Sequence, residues 1–225
     1  MKVIPMGRSS TEENYLKAIF TLAQNAPNSE AGTNQVAAYL GIKPASVNEM
    51  LKRLKDKDWV DYEKYGKIKL TKKGQSLAIQ TIRKHRLWET FLYQKLGFGW
   101  EEIHEVAEEL EHIHSEKLIS ALDKFLDYPN FDPHGDPIPD SSGRIEKVIR
   151  KKLTEVEVGK NFRVVAVKDV NAEFLQYVES VGIVIGKEFQ LISRENFDGQ
   201  TTLKINGDEK IISEKVAENI FVVEV

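Results

Sequence analysis

The chain has 225 residues, 41% of them hydrophobic and 30% charged, with a formal net charge of −3 at pH 7 and no cysteine. That length suits one to two ordinary domains with real cores, and the lack of thiols excludes disulfides, zinc knuckles and cysteine catalysis and fits a reducing cytoplasm. No signal-like apolar core opens the sequence and no run approaches ~18 apolar residues, so neither secretion nor a membrane span is expected.

The net charge conceals three regions. Residues 1–79 carry 13 Lys and Arg against 8 Asp and Glu, a net +5; residues 80–140 come to −7, and residues 141–225 to −1. A basic front suits phosphate and an acidic middle suits cations.

In chain order, residues 12–24 have the apolar spacing of a helix, with Tyr15, Leu16, Ile19, Phe20, Leu22 and Ala23 on one stripe and Ser10 or Thr11 as its cap. A short helix follows from Thr33 to about Leu40, then a turn at Gly41. A second helix starts at Pro44, a residue suited to a first helical position, and runs to about Lys55. Val36, Ala37, Leu40, Val47, Met50, Leu51 and Leu54 supply the buried faces, which is helix-turn-helix spacing. Residues 59–62 and 67–70 read as two strands around a Lys64-Tyr65-Gly66 turn, a wing. In a winged helix-turn-helix the N-terminal part of the second helix enters the major groove of DNA. Here it offers Lys43, Ala45, Ser46, Asn48 and Glu49. Asn48 has the chemistry to read an adenine edge, Ser46 a base or phosphate, and Ala45 a thymine methyl. Lys52, Arg53, Lys64 and Lys67 are placed to neutralise phosphates.

A long helix is expected from about Gly74 through His85 to Leu96, ended by Gly97-Phe98-Gly99, and another from Trp100 to about His114. All five histidines lie between positions 85 and 134. Glu108, Glu111 and His112 stand at i, i+3 and i+4, so a helix puts them on one face, with His104 one turn earlier; His85 and Glu89 repeat the i, i+4 pairing on the preceding helix. Imidazoles and carboxylates so arranged are ligands for a divalent transition metal. His114 falls to the side of this face. The region has more apolar helix surface than its own helices bury, as a dimer interface requires. The loop at 127–139 is rich in proline but contains Asp132, His134 and Asp136, unusual in a plain linker.

These features together resemble the DtxR family of metal-dependent repressors, on its manganese-responsive side. The resemblance is carried by Glu12-Glu13-Asn14-Tyr15-Leu16, Pro44-Ala45-Ser46-Val47, His85-Arg86-Leu87 with Glu89, the 100–112 helix, and Asp132-Pro133-His134-Gly135 followed by Ile138-Pro139. It implies a primary metal site of His85, Glu108, Glu111 and His112 with position 14, here Asn14. It implies a second site of Glu89, Asp132 and His134 with the C-terminal Asp169, and His104 matches an ancillary ligand of the iron-responsive branch. The family usually has Asp or Met where Asn14 stands, one manganese branch has Glu where Lys17 stands, and the iron branch has Cys where Glu108 stands. A donor set of oxygen and imidazole without sulfur favours Mn(II), with Fe(II) the alternative.

The C-terminal residues read as strands at 162–167, 188–193, 201–205, 210–212 and 220–223, a helix at 171–181, and an Asn206-Gly207 hairpin turn. This resembles the SH3-like barrel of FeoA proteins and of the longer family members. The fold expected is mainly α with a small β domain: a winged helix-turn-helix at 1–79, a helical dimerisation and metal-binding domain at 80–140, a linker at 141–153 and the SH3-like domain at 154–225. The function expected is a cytoplasmic homodimeric repressor that binds palindromic operator DNA under Mn(II) control and regulates manganese or iron uptake genes, without an organic cofactor. The rivals are a carboxylate metalloenzyme and a winged-helix sensor of an organic ligand. Glu-x-x-His recurs at Glu101/His104, Glu109/His112 and Glu111/His114, but all on one helix, whereas di-iron bundles need two helices and two further Glu.

Overall fold

The computed structural model describes residues 8–24, 26, 28–62, 67–168 and 171–225. Lys64, read as a phosphate contact, and Asp169, read as a second-site ligand, lie outside the described residues. The chain divides into two compact units, the first containing Met1–His85, Leu110–His114 and Pro139–Arg144, the second Arg86–Glu109, Ser115–Ile138 and Ile145–Val225.

In the first unit, α1 spans Ser10–Gln24. Its start is a capping box, one residue earlier than expected: the Glu12 amide donates to Ser9 Oγ at 3.2 Å and the Ser9 amide to Glu12 Oε2 at 3.1 Å. Ser9, rather than Ser10 or Thr11, satisfies the first-turn donors. Tyr15, Leu16, Ile19, Phe20 and Ala23 of the expected stripe are buried and Leu22 is half-buried, but Glu12 and Glu13 are buried with them. Buried carboxylates need cationic or hydrogen-bonding partners, and Glu12 has Lys57 at 2.5 Å. Helix α2 (Thr33–Tyr39) and helix α3 (Pro44–Asp56) form the helix-turn-helix, with Val36, Ala37, Val47, Leu51 and Leu54 buried. The wing strands β2 (Val60–Tyr62) and β3 (Lys67–Leu70) are antiparallel, and β1 (Ala31–Gly32) adds a third strand, in the order β1-β3-β2. Two residues carry no visible period, so β1 escaped sequence reading; its register partner Ile68 is fully buried.

Helix α4 is one continuous 25-residue element, Lys72–Leu96. Helix α5 is Ile103–Leu110, shorter than the expected helix, and Glu111 and His112 occupy a turn after it. Helix α6 (Glu116–Phe125) begins at Ser115, whose hydroxyl accepts from the Leu118 amide.

The second unit contains a six-stranded antiparallel sheet, β4 (Lys151–Lys152), β5 (Asn161–Val167), β6 (Glu188–Arg194), β7 (Thr201–Ile205), β8 (Asp208–Ile212) and β9 (Ile220–Glu224), in the order β4-β9-β5-β6-β7-β8. Lys151 and Lys152, read from sequence as linker, pair with Val222 and Phe221. Helix α7 (Ala172–Ser180) is capped by Asn171, and α8 (Glu214–Ala217) by Ser213. Asn206 and Gly207 both have positive φ, 54° and 95°, as a two-residue turn between β7 and β8 demands. Phe162, Val164, Leu175, Leu191, Leu203 and Ile220 form this core. Among the described residues no helix is long and apolar enough to cross a membrane.

Candidate metal centres and nucleic-acid interface

The first unit gathers a buried charge cluster from three separate segments. From α4, His85 Nδ1 lies 2.6 Å from Glu111 Oε2. From α1, the Lys17 ammonium lies 2.7 Å from the same oxygen and 3.3 Å from His85 Nδ1. His112 Nδ1 lies 2.7 Å from Glu13 Oε2 on α1. Glu13 Oε1 is ringed by Arg8 Nε at 3.6 Å, Lys84 Nζ at 3.7 Å and His114 Nδ1 at 3.7 Å. Glu111 is fully buried and Glu13 nearly so. Burial pushes the Glu111 carboxyl up, but the hydrogen bond from His85 and the Lys17 charge outweigh it and hold Glu111 below the ordinary range. Burial pulls the Lys84 ammonium down, only partly offset by Glu13.

Of the residues read as a primary site, His85, Glu111 and His112 thus enter one cluster in this unit. Glu13 and Lys17 dominate its electrostatics. Glu13 escaped selection as a site residue because a carboxylate in a first helical turn has an ordinary explanation at the positive end of the helix dipole. His114, set aside by helical angle, reaches Glu13 because α5 ends at Leu110 and the chain turns. Asn14 Oδ1 and Glu111 Oε1 are buried and accept no hydrogen bond. Such oxygens carry a desolvation cost that a cation would relieve, so the donor set fits a hard divalent ion. Glu108 is half-buried in the second unit, with Oε1 3.7 Å from His104 Nε2.

The second unit brings Glu89, Asp132 and His134 together, with one ligand atom of each within 4.8 Å of the others, all three buried. Glu89 Oε1 lies 3.3 Å from His104 Nδ1 and 3.6 Å from His134 Nδ1. The proline-rich loop reaches this place because it is docked. Gly135 has φ 85°, and a Cβ there would meet the Val165 carbonyl at 2.0 Å, so only glycine lets the loop lie on β5. The Val167 amide donates to the His134 carbonyl, Trp100 stacks on the His134 ring at 5.6 Å, and the Trp100 indole donates to the Pro133 carbonyl at 3.0 Å. Asp132 Oδ1 accepts from the amides of His134 and Asp136. Asp136, noted in the sequence beside these two, instead pairs with Arg150 at 2.8 Å and Arg86 at 3.4 Å.

Burial, then the neighbouring Glu89 charge, pushes Asp132 up to about 7, against a lowering by Arg86. Burial pulls the His134 imidazole down, but the hydrogen bond and charge of Glu89 outweigh it and raise it. His134 Nε2 is buried and makes no hydrogen bond. An imidazole with one unpartnered nitrogen, clustered with two buried carboxylates, fits a divalent cation.

Lys43, the cap of α3, and Ala45, Ser46, Glu49, Lys52 and Arg53 on it are exposed, and Asn48 is half-buried. Lys67 is exposed on β3 but has Glu30 at 3.4 Å.

Sequence patterns match this chain in three successive blocks: "Iron dependent repressor, N-terminal DNA binding domain" over residues 9–68, "Iron dependent repressor, metal binding and dimerisation domain" over 71–140, and "FeoA domain" over 151–224. The iron-dependent repressor IdeR of Mycobacterium leprae (strain TN) is 32% identical over 164 residues, covering 69% of this chain and 70% of that protein. The chain belongs to the iron-dependent (DtxR-type) repressor family. Among solved structures, a manganese-dependent transcriptional repressor in complex with manganese superposes with a TM-score of 0.86 at 32% identity, over 95% of this chain and all of that one. The manganese regulator SloR superposes with a TM-score of 0.75 at 34% identity, over 95% and 98%. Membership of the iron-dependent repressor family makes the chain a DNA-binding, metal-dependent transcriptional repressor and removes the metalloenzyme reading.

Proposed function

We propose that this repressor is a homodimer activated by Mn(II), with Fe(II) the alternative effector, that binds palindromic operator DNA in the cytoplasm and controls manganese or iron uptake genes. The observation that carries the reading is the buried cluster that fastens α1, through Glu13 and Lys17, to His85 on α4 and to Glu111 and His112. Its charge balance sets where the first helix of the DNA-binding fold sits.

His85, Glu111 and His112 are assigned to the primary ion, with Glu108 one helical turn earlier in sequence and Asn14 from α1. Glu89, Asp132 and His134 are assigned to a second ion, with His104 and Asp169 as further donors. The ion supplies a divalent charge and directional bonds that the side chains alone lack. The chain supplies what makes its position consequential. Glu111 is locked by burial, His85 stands on a helix shared with the wing's exit, and Lys17 occupies the Glu111 oxygen with an ammonium. An effector shifts this equilibrium only by its difference in affinity for the two arrangements. The donors are oxygen and imidazole without sulfur, which suits manganese.

Exposed Tyr93, Leu96, Leu118, Phe125 and Tyr128 on or beside α4 and α6 support dimerisation through the second unit. Two recognition helices spaced by one DNA turn, ~34 Å, then match a palindrome.

Fluorescence anisotropy on operator-type DNA at constant salt tests this, first with chelator, then with Mn(II), Fe(II) and Zn(II). Tight binding with Mn(II) or Fe(II) alone is expected. Binding indifferent to metal would overturn metal control and favour an organic-ligand sensor. Retained metal activation in Glu111→Gln with His112→Ala would overturn the primary-site assignment.

A further inference from the structure

On the recognition helix, the half-buried Asn48 does not present a free amide. The hydroxyl of Tyr62 donates to Asn48 Oδ1 at 2.6 Å. Tyr62 is only 6% exposed, and a buried phenol holds the partner it has. Tyr62 is held at three points, two on its backbone and one at its hydroxyl. Its backbone is in register with Ile68 across the wing. Its carbonyl accepts from Lys55 Nζ at 2.8 Å. Its hydroxyl is on Asn48. Asn48, Leu51 and Lys55 stand at i, i+3 and i+7, one face of α3, so α3 clamps this tyrosine at two points with buried Leu51 between them.

The consequence is chemical. An asparagine that reads adenine in the major groove does so bidentately, its oxygen accepting from the N6 amino group and its nitrogen donating to N7. Here one lone pair of the oxygen is taken by Tyr62, which turns the amide's acceptor toward the wing and leaves its NH2 as the stronger group for a base edge. Guanine presents two acceptors, N7 and O6, to such a group; adenine opposes it with an amino donor at N6, and cytosine with one at N4. We infer that Tyr62 is a specificity-determining residue which fixes Asn48 as a donor, so that this repressor selects guanine over adenine at the base Asn48 faces. This proposal replaces the adenine edge expected from the sequence with a guanine edge at the same base. Tyr62 acts through Asn48 and is a positioning residue. The inference rests on the DNA-binding reading above.

The test is selection from a randomised duplex pool with the full-length protein and Mn(II) at constant salt, followed by anisotropy on four duplexes that differ at one base pair. Asn48→Ala identifies that pair as the one where preference disappears. The wild-type protein is expected to favour guanine over adenine there about tenfold, within the range of one good base contact. Tyr62→Phe keeps the ring and removes only the hydroxyl. It is expected to bring the guanine-to-adenine ratio within about threefold at that pair and leave all other positions and the salt dependence unchanged, while Lys52→Ala weakens all four duplexes equally. An unchanged base profile in Tyr62→Phe, or a loss equal across all sequences, overturns the inference. A wild-type protein that enriches no sequence overturns the DNA-binding reading itself. Circular dichroism and melting of Tyr62→Phe confirm that the readout comes from folded protein.

Discussion

In the first unit, Glu111 lies 2.7 Å from an ammonium and 2.6 Å from an imidazole, and its carboxyl is held below the ordinary range. In the second, Asp132 lies beside Glu89 with Arg86 at 3.4 Å, and its carboxyl is pushed up to about 7. Both clusters combine buried carboxylates with histidine, yet they balance charge differently. The first contains cations of the chain itself, Lys17, Lys84 and Arg8. The second relies on one arginine and on protons. An ion entering the first would meet an ammonium, and one entering the second would meet a carboxyl that burial inclines to keep its proton. Like residue types therefore give one cluster tuned by the position of α1 and another tuned by pH.

The largest expected effect breaks the first cluster at its acid. Glu13→Gln leaves Arg8, Lys84 and His112 around a neutral buried amide, and loss of one partner from a buried ionic group costs about 3–5 kcal/mol. Chemical denaturation should report that loss, with operator binding reduced alongside.

Lys17→Met is next. Without the ammonium, Glu111 loses its built-in counter-charge, so the metal-free protein should melt lower by an amount equivalent to about 2–3 kcal/mol. Mn(II) affinity by titration calorimetry should rise about tenfold, because the ion no longer displaces Lys17. A fall in affinity would mean that Lys17 supports the ion rather than competing with it.

The pH test separates the clusters. Asp132 is raised on folding, so its contribution to stability is full below its ordinary value of 3.8 and is lost as pH climbs to about 7. The raised His134 acts in the same direction, lost as pH rises through its folded value. Glu111 is lowered, so its contribution is full above its ordinary value of 4.5 and is lost only on acidification below it. From 4.5 to about 7, metal-free protein should lose stability with rising pH by at most about 1.4 kcal/mol per pH unit for one proton. Asp132→Asn should flatten that slope in thermal melts.

The smallest effect is the exposed control. Arg163 and Glu188 pair at 2.6 Å across β5 and β6 with about half of each side chain in solvent. Arg163→Ala should cost less than about 1 kcal/mol, because solvent screens such pairs. Mn(II) binding should be unaffected by calorimetry.

The sequence alone determined a good deal. Apolar periodicity located α1, α3 and the long α4; Gly41 and Pro44 marked the helix-turn-helix; Asn206-Gly207 marked a hairpin. These signals are local, since backbone propensity and one-sided burial leave their trace within a few residues. The chemistry of His85, Glu111, His112, Glu89, Asp132 and His134 was legible from residue type and helical spacing. Tertiary structure decided what those groups meet. His112 and Glu13 are 99 positions apart, Lys17 and Glu111 are 94, and only folding brings them together. It decided that a proline-rich segment is a docked loop, through the close approach of Gly135 to β5. It also turned the Asn48 amide by the hydroxyl of Tyr62, since a hydrogen bond depends on where two atoms end up and not on the identity of either residue.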